Sequence, residues 1–252
     1  MKTVFWNGEE RRLRAGWRVA AQLVTMILLL TMGQFVLDRL LGSLIPNPRD
    51  ASVATLELAG AVVQLVSQLA IAASVLLVGR LLDRRPIRDF GFRFSGRWWT
   101  DLGFGLALGA ALMTGIFLVE RAAGWVRVTG TFVTREGSLA FWPGILVPLV
   151  GYLFVGVAEE LWSRGYLLRN LAEGLNGPRL RPTAAVAIAT LLQGAVFALM
   201  HATNANASLV STFNLFLTAL LLALGFALTG ELAISIGLHI TWNFFQGNVF
   251  GF

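Results

Sequence analysis

Residues 182–230 read PTAAVAIATLLQGAVFALMHATNANASLVSTFNLFLTALLLALGFALTG, a run of 49 residues without one Asp, Glu, Lys or Arg. A transmembrane helix needs about 20 apolar residues, so this run is too long for a single span. The polar stretch HATNAN at 201–206 interrupts it. The run therefore predicts two spans, 182–200 and 209–228, that are joined by a polar turn.

Further charge-free runs occur along the chain, at 19–37, 58–79, 102–119, 137–158 and 232–252. Hydrophobic residues make up 56% of the 252 residues and charged residues only 13%, about half the share of roughly 25% in soluble proteins. The sequence thus predicts an all-α polytopic transmembrane bundle of about seven spans, with 1–252 as one integral membrane domain. The apolar end of the chain leaves open an eighth span beyond residue 252.

The charges and the absence of cysteine exclude several classes. With no cysteine, the chain has no disulfide, no thiolate metal site and no cysteine nucleophile. The net charge of +6 is carried by loops between apolar runs, which favours membrane lipids rather than nucleic acid as partners. Fifteen Lys and Arg lie in segments 1–18, 80–101 and 159–181, against five in 38–57 and 120–136. This asymmetry predicts a cytoplasmic N-terminus and, in a bacterium, a location in the cell membrane.

Ionisable residues within spans are costly, so each is a functional candidate. Glu159 and Glu160 follow the charge-free run 137–158, and Arg164 lies one helical turn beyond Glu160. Arg164 is predicted to neutralise Glu160, while Glu159, about 100° further round the helix, stays free. The alternative is a charge cluster that only marks the end of the span.

Both histidines of the chain lie within a span or at its end. His201 follows Phe197 by four residues, and His239 precedes Asn243 by four. The alternative for each histidine is a hydrogen-bonded packing residue. If span four continues to a turn at 173–178, His201 and Glu159 lie at similar depth; if it ends at Glu159, they lie on opposite membrane faces.

Three short motifs occur in order along the chain: Glu159-Glu160-x-x-x-Arg164, Phe197-x-x-x-His201 and His239-x-x-x-Asn243. This ordered set resembles the motifs of the CPBP family, which contains the CAAX prenyl endopeptidases and bacteriocin-processing or immunity proteins. The resemblance covers roughly residues 85–250, the predicted catalytic core. It implies an intramembrane endopeptidase whose substrate is a membrane-anchored or lipidated protein or a peptide.

The resemblance implies that Glu159 and His201 bind and deprotonate the attacking water. A metal stays open as an alternative, because Glu159, His201 and His239 would make a two-histidine, one-carboxylate zinc site with a free position for water. No other cofactor is implied. The metal-free mechanism is favoured because Asn243 suits an oxyanion donor better than a zinc ligand.

The remaining motif residues have supporting roles under the same resemblance. His239 and Asn243 would donate to the oxyanion, Glu160 with Arg164 would orient the general base, and Phe197 would support the site. Two other classes of function stay open. One is a proton-coupled transporter that uses the Glu, His and Arg side chains as a relay. The other is a non-catalytic immunity protein that keeps the motifs for structure.

Overall fold

The computed structural model describes residues 4–8, 10–178 and 180–252. A short antiparallel pair, β1 (Trp6–Asn7) and β2 (Arg12–Leu13), precedes the helices. The α-helical segments are α1 Ala15–Leu44, α2 Val53–Leu81, α3 Gly96–Ala122, α4 Phe141–Glu160, α5 Arg169–Leu175, α6 Pro182–Met200, α7 Leu209–Thr229 and α8 Ala233–Phe244. A 3₁₀ turn, Ile87–Phe90, precedes α3, and π-helical stretches follow α4 (Leu161–Leu168) and α8 (Phe245–Val249).

Within the described residues, six helices are long and apolar enough to cross a membrane. They are α1, α2, α3, the continuous run Phe141–Leu175, α6 and α7. This finding confirms the predicted all-α polytopic bundle. The seventh predicted span, at 232–252, consists of α8 and its π-helical end and is shorter than the other six.

Local sequence sets where several helices begin and end. The hydroxyls of Ser52, Ser95 and Ser208 each accept a hydrogen bond from the backbone amide three residues on, and so begin α2, α3 and α7. Pro182 begins α6, where its fixed φ suits the first turn. Gly230 follows α7 with a φ of 70°, which lets the chain turn sharply into α8.

The turn predicted at 173–178 begins three residues later than expected, because α5 continues to Leu175. Gly174 is helical despite the low helix propensity of glycine. Tertiary packing accounts for this, since a Cβ at Gly174 would lie 3.1 Å from the Ala15 side chain of α1. Span four therefore continues well past Arg164, which is the first of the two alternatives given above.

Helices α3 and α8 pack closely against each other over glycines. A Cβ added at Gly105 would meet the backbone carbonyl of Ile234, and one at Gly109 would meet the Thr241 hydroxyl. The Gly105-x-x-x-Gly109 spacing thus lets the two backbones approach, as small residues do between membrane helices. Because α8 also carries His239, this packing fixes the position of that ring.

One end of the bundle, the arginine-rich end, is formed by the described residues of the four segments 4–14, 82–95, 169–181 and 230–232. Buried ion pairs hold it together. Arg18 pairs with Asp83 at 2.5 Å, and both side chains are at most 1% exposed. Glu173 contacts Arg12, Arg18 and Arg85, so that the N-terminal segment, the α2–α3 connection and α5 meet. The opposite end is formed by segments 45–52, 123–140, 201–208 and 250–252.

Candidate active site

Glu159 and Glu160 are the last residues of α4, directly before the π-helical stretch Leu161–Leu168. Ser163 donates a hydrogen bond from its hydroxyl to the Glu159 carbonyl at 2.5 Å, which satisfies one carbonyl at this widened turn. All eight residues of the stretch are buried. The wider turn is therefore packed inside the protein. Such π-helical turns are rare in proteins overall, but many of those that occur lie at functional sites.

Glu160 is fully buried and has two partners. Its Oε1 contacts Arg164 Nη1 at 2.8 Å and His239 Nδ1 at 2.8 Å. Arg164, also fully buried, donates further to Ser163 Oγ at 2.7 Å and to the Ala219 carbonyl at 3.0 Å. The guanidinium thus shares its donors among a carboxylate, a hydroxyl and a carbonyl of α7. Its burial contradicts the alternative that these charges only mark a helix end.

The hydrogen bonds of the two histidines define their neutral tautomers. His201 Nδ1 lies 2.8 Å from the Phe197 carbonyl, which can only accept, so this nitrogen carries the proton. His239 Nδ1 faces the Glu160 carboxylate, which already pairs with Arg164, and likewise donates. In both neutral rings Nε2 is therefore the nitrogen with the free lone pair.

The two Nε2 atoms face one oxygen of Glu159. Glu159 Oε2 lies 4.0 Å from His201 Nε2 and 3.9 Å from His239 Nε2, longer than a direct hydrogen bond. Its other oxygen accepts from the Gln68 amide at 3.4 Å, while Oε2 has no hydrogen-bond partner among the described residues. Three acceptors thus converge, and the group that satisfies them is a donor or a cation: a proton on a ring, a water or a metal ion.

These groups line a cavity of about 470 Å³. Met26, Ile71 and Leu222 form apolar parts of its wall, and Asn243 lies in the wall one helical turn beyond His239. The cavity therefore combines an apolar surface with a few convergent polar groups, as ligand sites usually do.

Phe197 lies between the two halves of the site. Its ring centroid is 4.7 Å from that of His201 and 6.2 Å from that of His239. The Arg164 guanidinium stands over the same ring at 4.7 Å. The aromatic ring thus separates the buried Glu160–Arg164 pair from the cavity and holds both imidazoles in place.

The structure brings the predicted residues together. Glu159, Phe197, His201, His239 and Asn243 line the cavity, whereas Glu160 and Arg164 lie behind them. Sequence reasoning missed the α2 contribution, Gln64 and Gln68, which also line the cavity. Two amides one helical turn apart inside the charge-free run 58–79 were the signal available for them.

Glu159, His201 and His239 fit a metal ion by donor type, because both Nε2 lone pairs and the carboxylate face one another. Their mutual spacing is not that of a formed site: among the described residues, no group of three His, Asp or Glu side chains is placed to hold a metal.

One family model matches part of the chain. Residues 140–245 match the family model described as Type II CAAX prenyl endopeptidase Rce1-like. The matched segment contains all three motifs and confirms the resemblance to the CPBP family; the family that this model describes consists of membrane peptidases. No curated protein and no solved structure matches the chain. The catalytic core expected over 85–250 stays a prediction.

Proposed function

We propose that this integral membrane protein is an endopeptidase of the CAAX-protease type. It hydrolyses a peptide bond of a membrane-associated or lipidated protein or peptide, using a water activated by Glu159 and His201. The observation that supports this proposal is the convergence of Glu159 Oε2 and two imidazole Nε2 atoms at 3.9 and 4.0 Å inside a cavity. A water held there has acceptors for both of its protons.

In this mechanism Glu159 Oε2 takes a proton as the water oxygen attacks the scissile carbonyl, and His201 Nε2 accepts the second hydrogen bond of that water. The Gln68 amide holds the far oxygen of the carboxylate, so that Oε2 faces the water. Glu159 then gives its proton to the leaving amine, which regenerates the carboxylate.

The oxyanion that forms needs donors. Asn243 supplies an amide N–H from the cavity wall. His239 joins it through Nε2–H once that nitrogen has bound a proton from bulk water, while Nδ1–H stays on Glu160. Glu160 and Arg164 touch no substrate in this scheme. They fix the orientation of His239 and the turn that carries Glu159.

A zinc-dependent mechanism is the alternative for the same residues. Glu159, His201 and His239 would hold the ion, which would supply Lewis-acid activation of the water. We favour the metal-free mechanism because the amide of Asn243 is better suited to an oxyanion than to zinc. Metal analysis of the purified protein, with activity measured before and after 1,10-phenanthroline, separates the two: the metal-free mechanism predicts full activity without bound metal.

The proposal also includes the partners of the protein and its orientation in the membrane. Its partners are membrane lipids and a membrane-anchored or lipidated substrate, not nucleic acid, and its N-terminus is cytoplasmic. The experiment that tests the function is quantitative proteomics of membrane fractions from cells with the wild-type protein or the Glu159→Ala variant. We expect one or more membrane-associated proteins to be shortened only with the wild type. Identical terminal peptides in both samples would contradict the proposal.

A further inference from the structure

The catalytic cavity is not placed symmetrically between the two ends of the bundle. Its wall includes Asn204, in the 201–208 connection, and Gln246, in the π-helical end after α8. Gln64 lines it from the half of α2, and Tyr152 from the half of the continuous span Phe141–Leu175, that leads to the same end. In the described part of the chain, none of the lining residues belongs to the four segments of the arginine-rich end.

The arginine-rich end is closed by packing. Phe90 is 1% exposed, and its ring contacts Gly79 and lies 6.1 Å from the Tyr166 ring. The next residue, Gly91, accepts hydrogen bonds from the Leu232 amide at 3.1 Å and from the Trp98 indole at 3.0 Å. The α2–α3 connection therefore lies across the bundle between α2, the π-helical stretch and α8.

A second, larger cavity adjoins the catalytic one at the opposite end. Its volume is about 1440 Å³, and it shares the wall residues Gln64 and Tyr152 with the catalytic cavity. Residues 126–135 of the α3–α4 connection also line it. A polypeptide that approaches from this end thus meets an open space that shares two wall residues with the catalytic cavity.

The orientation in the membrane follows from charge. Three of the four segments of the arginine-rich end belong to the stretches 1–18, 80–101 and 159–181, which hold fourteen Lys and Arg besides the buried Arg164, against five in 38–57 and 120–136 near the opposite end. Such an excess stays on the cytoplasmic side. We propose that the catalytic cavity opens at the extracytoplasmic face, and that the substrate is a membrane-anchored polypeptide whose scissile segment lies on that face. This inference rests on the proposed function and specifies its substrate class.

Single cysteines test the orientation, because the natural chain has none. Ala205→Cys places a thiol in the exposed 201–208 connection, and Arg88→Cys places one at the arginine-rich end, where the Arg88 side chain is 74% exposed. In spheroplasts of a bacterial host, a membrane-impermeant maleimide should label Ala205→Cys at once and Arg88→Cys only after lysis. The reverse pattern would overturn the proposal. Both positions lie outside the site, so both variants should keep wild-type activity.

A third thiol tests the opening of the cavity itself. Thr218 lines the catalytic cavity from α7, whereas Ala189 of α6 is fully buried and serves as the control. A small charged methanethiosulfonate added outside spheroplasts should modify Thr218→Cys but not Ala189→Cys. Modification of Thr218→Cys only in inverted vesicles would place the opening on the cytoplasmic side and refute the inference.

The same proteomic comparison distinguishes a failure of this inference from a failure of the proposed function. We expect the Glu159-dependent cleavage sites to lie in extracytoplasmic segments of their substrates. Cleavage that depends on Glu159 but maps to cytoplasmic segments would overturn the inference and leave the peptidase assignment intact. The expected labelling without any Glu159-dependent cleavage would instead overturn the peptidase assignment.

Discussion

Replacing Arg164 by lysine tests how the buried charges support the site. Arg164 Nη1 donates to Glu160 and Ser163 at 2.8 and 2.7 Å, and Nη2 donates to the Ala219 carbonyl at 3.0 Å. A lysine has one nitrogen, which cannot lie at both positions. In Arg164→Lys the ammonium group can keep the Glu160 pair, but the Ala219 carbonyl of α7 then loses its side-chain donor.

The size of the effect follows from what each variant leaves without a partner. A buried polar group that loses its hydrogen bond costs about 1–3 kcal/mol, so Arg164→Lys should destabilise the protein by about that amount. Arg164→Ala removes the cation from a fully buried carboxylate, which costs about 3–5 kcal/mol. Glu160→Gln should cost less than Arg164→Ala, because the amide keeps the shape and one acceptor. All three variants should lower activity, since Glu160 also orients His239.

The assay measures yield in the membrane fraction, the melting temperature in detergent and Glu159-dependent cleavage. Arg97→Lys is the matched control, because Arg97 is 82% exposed and lies 3.7 Å from Asp101 on the surface of α3. We expect the control to behave as the wild type. Wild-type yield and activity in Arg164→Lys would show that the guanidinium geometry is not needed and would remove Arg164 from the support of the site.

Further substitutions test the water site, its α2 partner and the helix packing. Glu159→Ala and His201→Ala should each lower kcat by about two to four decades without loss of yield, whereas activity within about tenfold of the wild type would contradict the water site. Gln68→Leu removes the amide that donates to the Glu159 carboxylate. It should lower kcat about ten- to hundredfold at unchanged KM, as expected for the loss of a hydrogen bond to a charged group. A change in KM alone would assign Gln68 to substrate binding. Gly109→Leu should separate α3 from α8 and lower both the melting temperature and the activity. Gly103→Leu is the control and should change neither, because a Cβ at Gly103 meets nothing within 4 Å. Equal melting temperatures and activities of the two variants would refute the packing role of Gly109.

The membrane spans could be predicted from the sequence because lipid forbids unpaired charge over their whole length. The Glu160–Arg164 pair could be predicted for a similar reason, since residues four apart share a helix face whatever the tertiary structure. The meeting of Glu159 and His201 could not, because it depends on where span four ends. The sequence left two ends for that span open, one at Glu159 and one at the turn 173–178, and in the structure the span ends at Leu175.

Other contacts of the site are remote in sequence. Gln68 and Glu159 are 91 residues apart, and Arg164 and Ala219 are 55 apart. The Ala219 contact is made by a backbone carbonyl, so the residue type at position 219 does not predict it. Gln68 is polar within an apolar run, but its partner is defined only once α2 packs against α4.

Helices α1 and α2 contribute part of the cavity wall, whereas the residues of the three motifs lie in a later stretch of the chain. Met26, Gln68 and Ile71 face the cavity, yet they precede the 140–245 segment that carries the family motifs. Under the proposed function, variation at Met26 and Ile71 is therefore expected to alter which polypeptide is accepted, whereas Gln68 also holds the carboxylate of Glu159. Under the proposed function, a chimaera that takes α1 and α2 from a similar protein but keeps Gln68 is expected to retain catalysis and acquire a different selectivity.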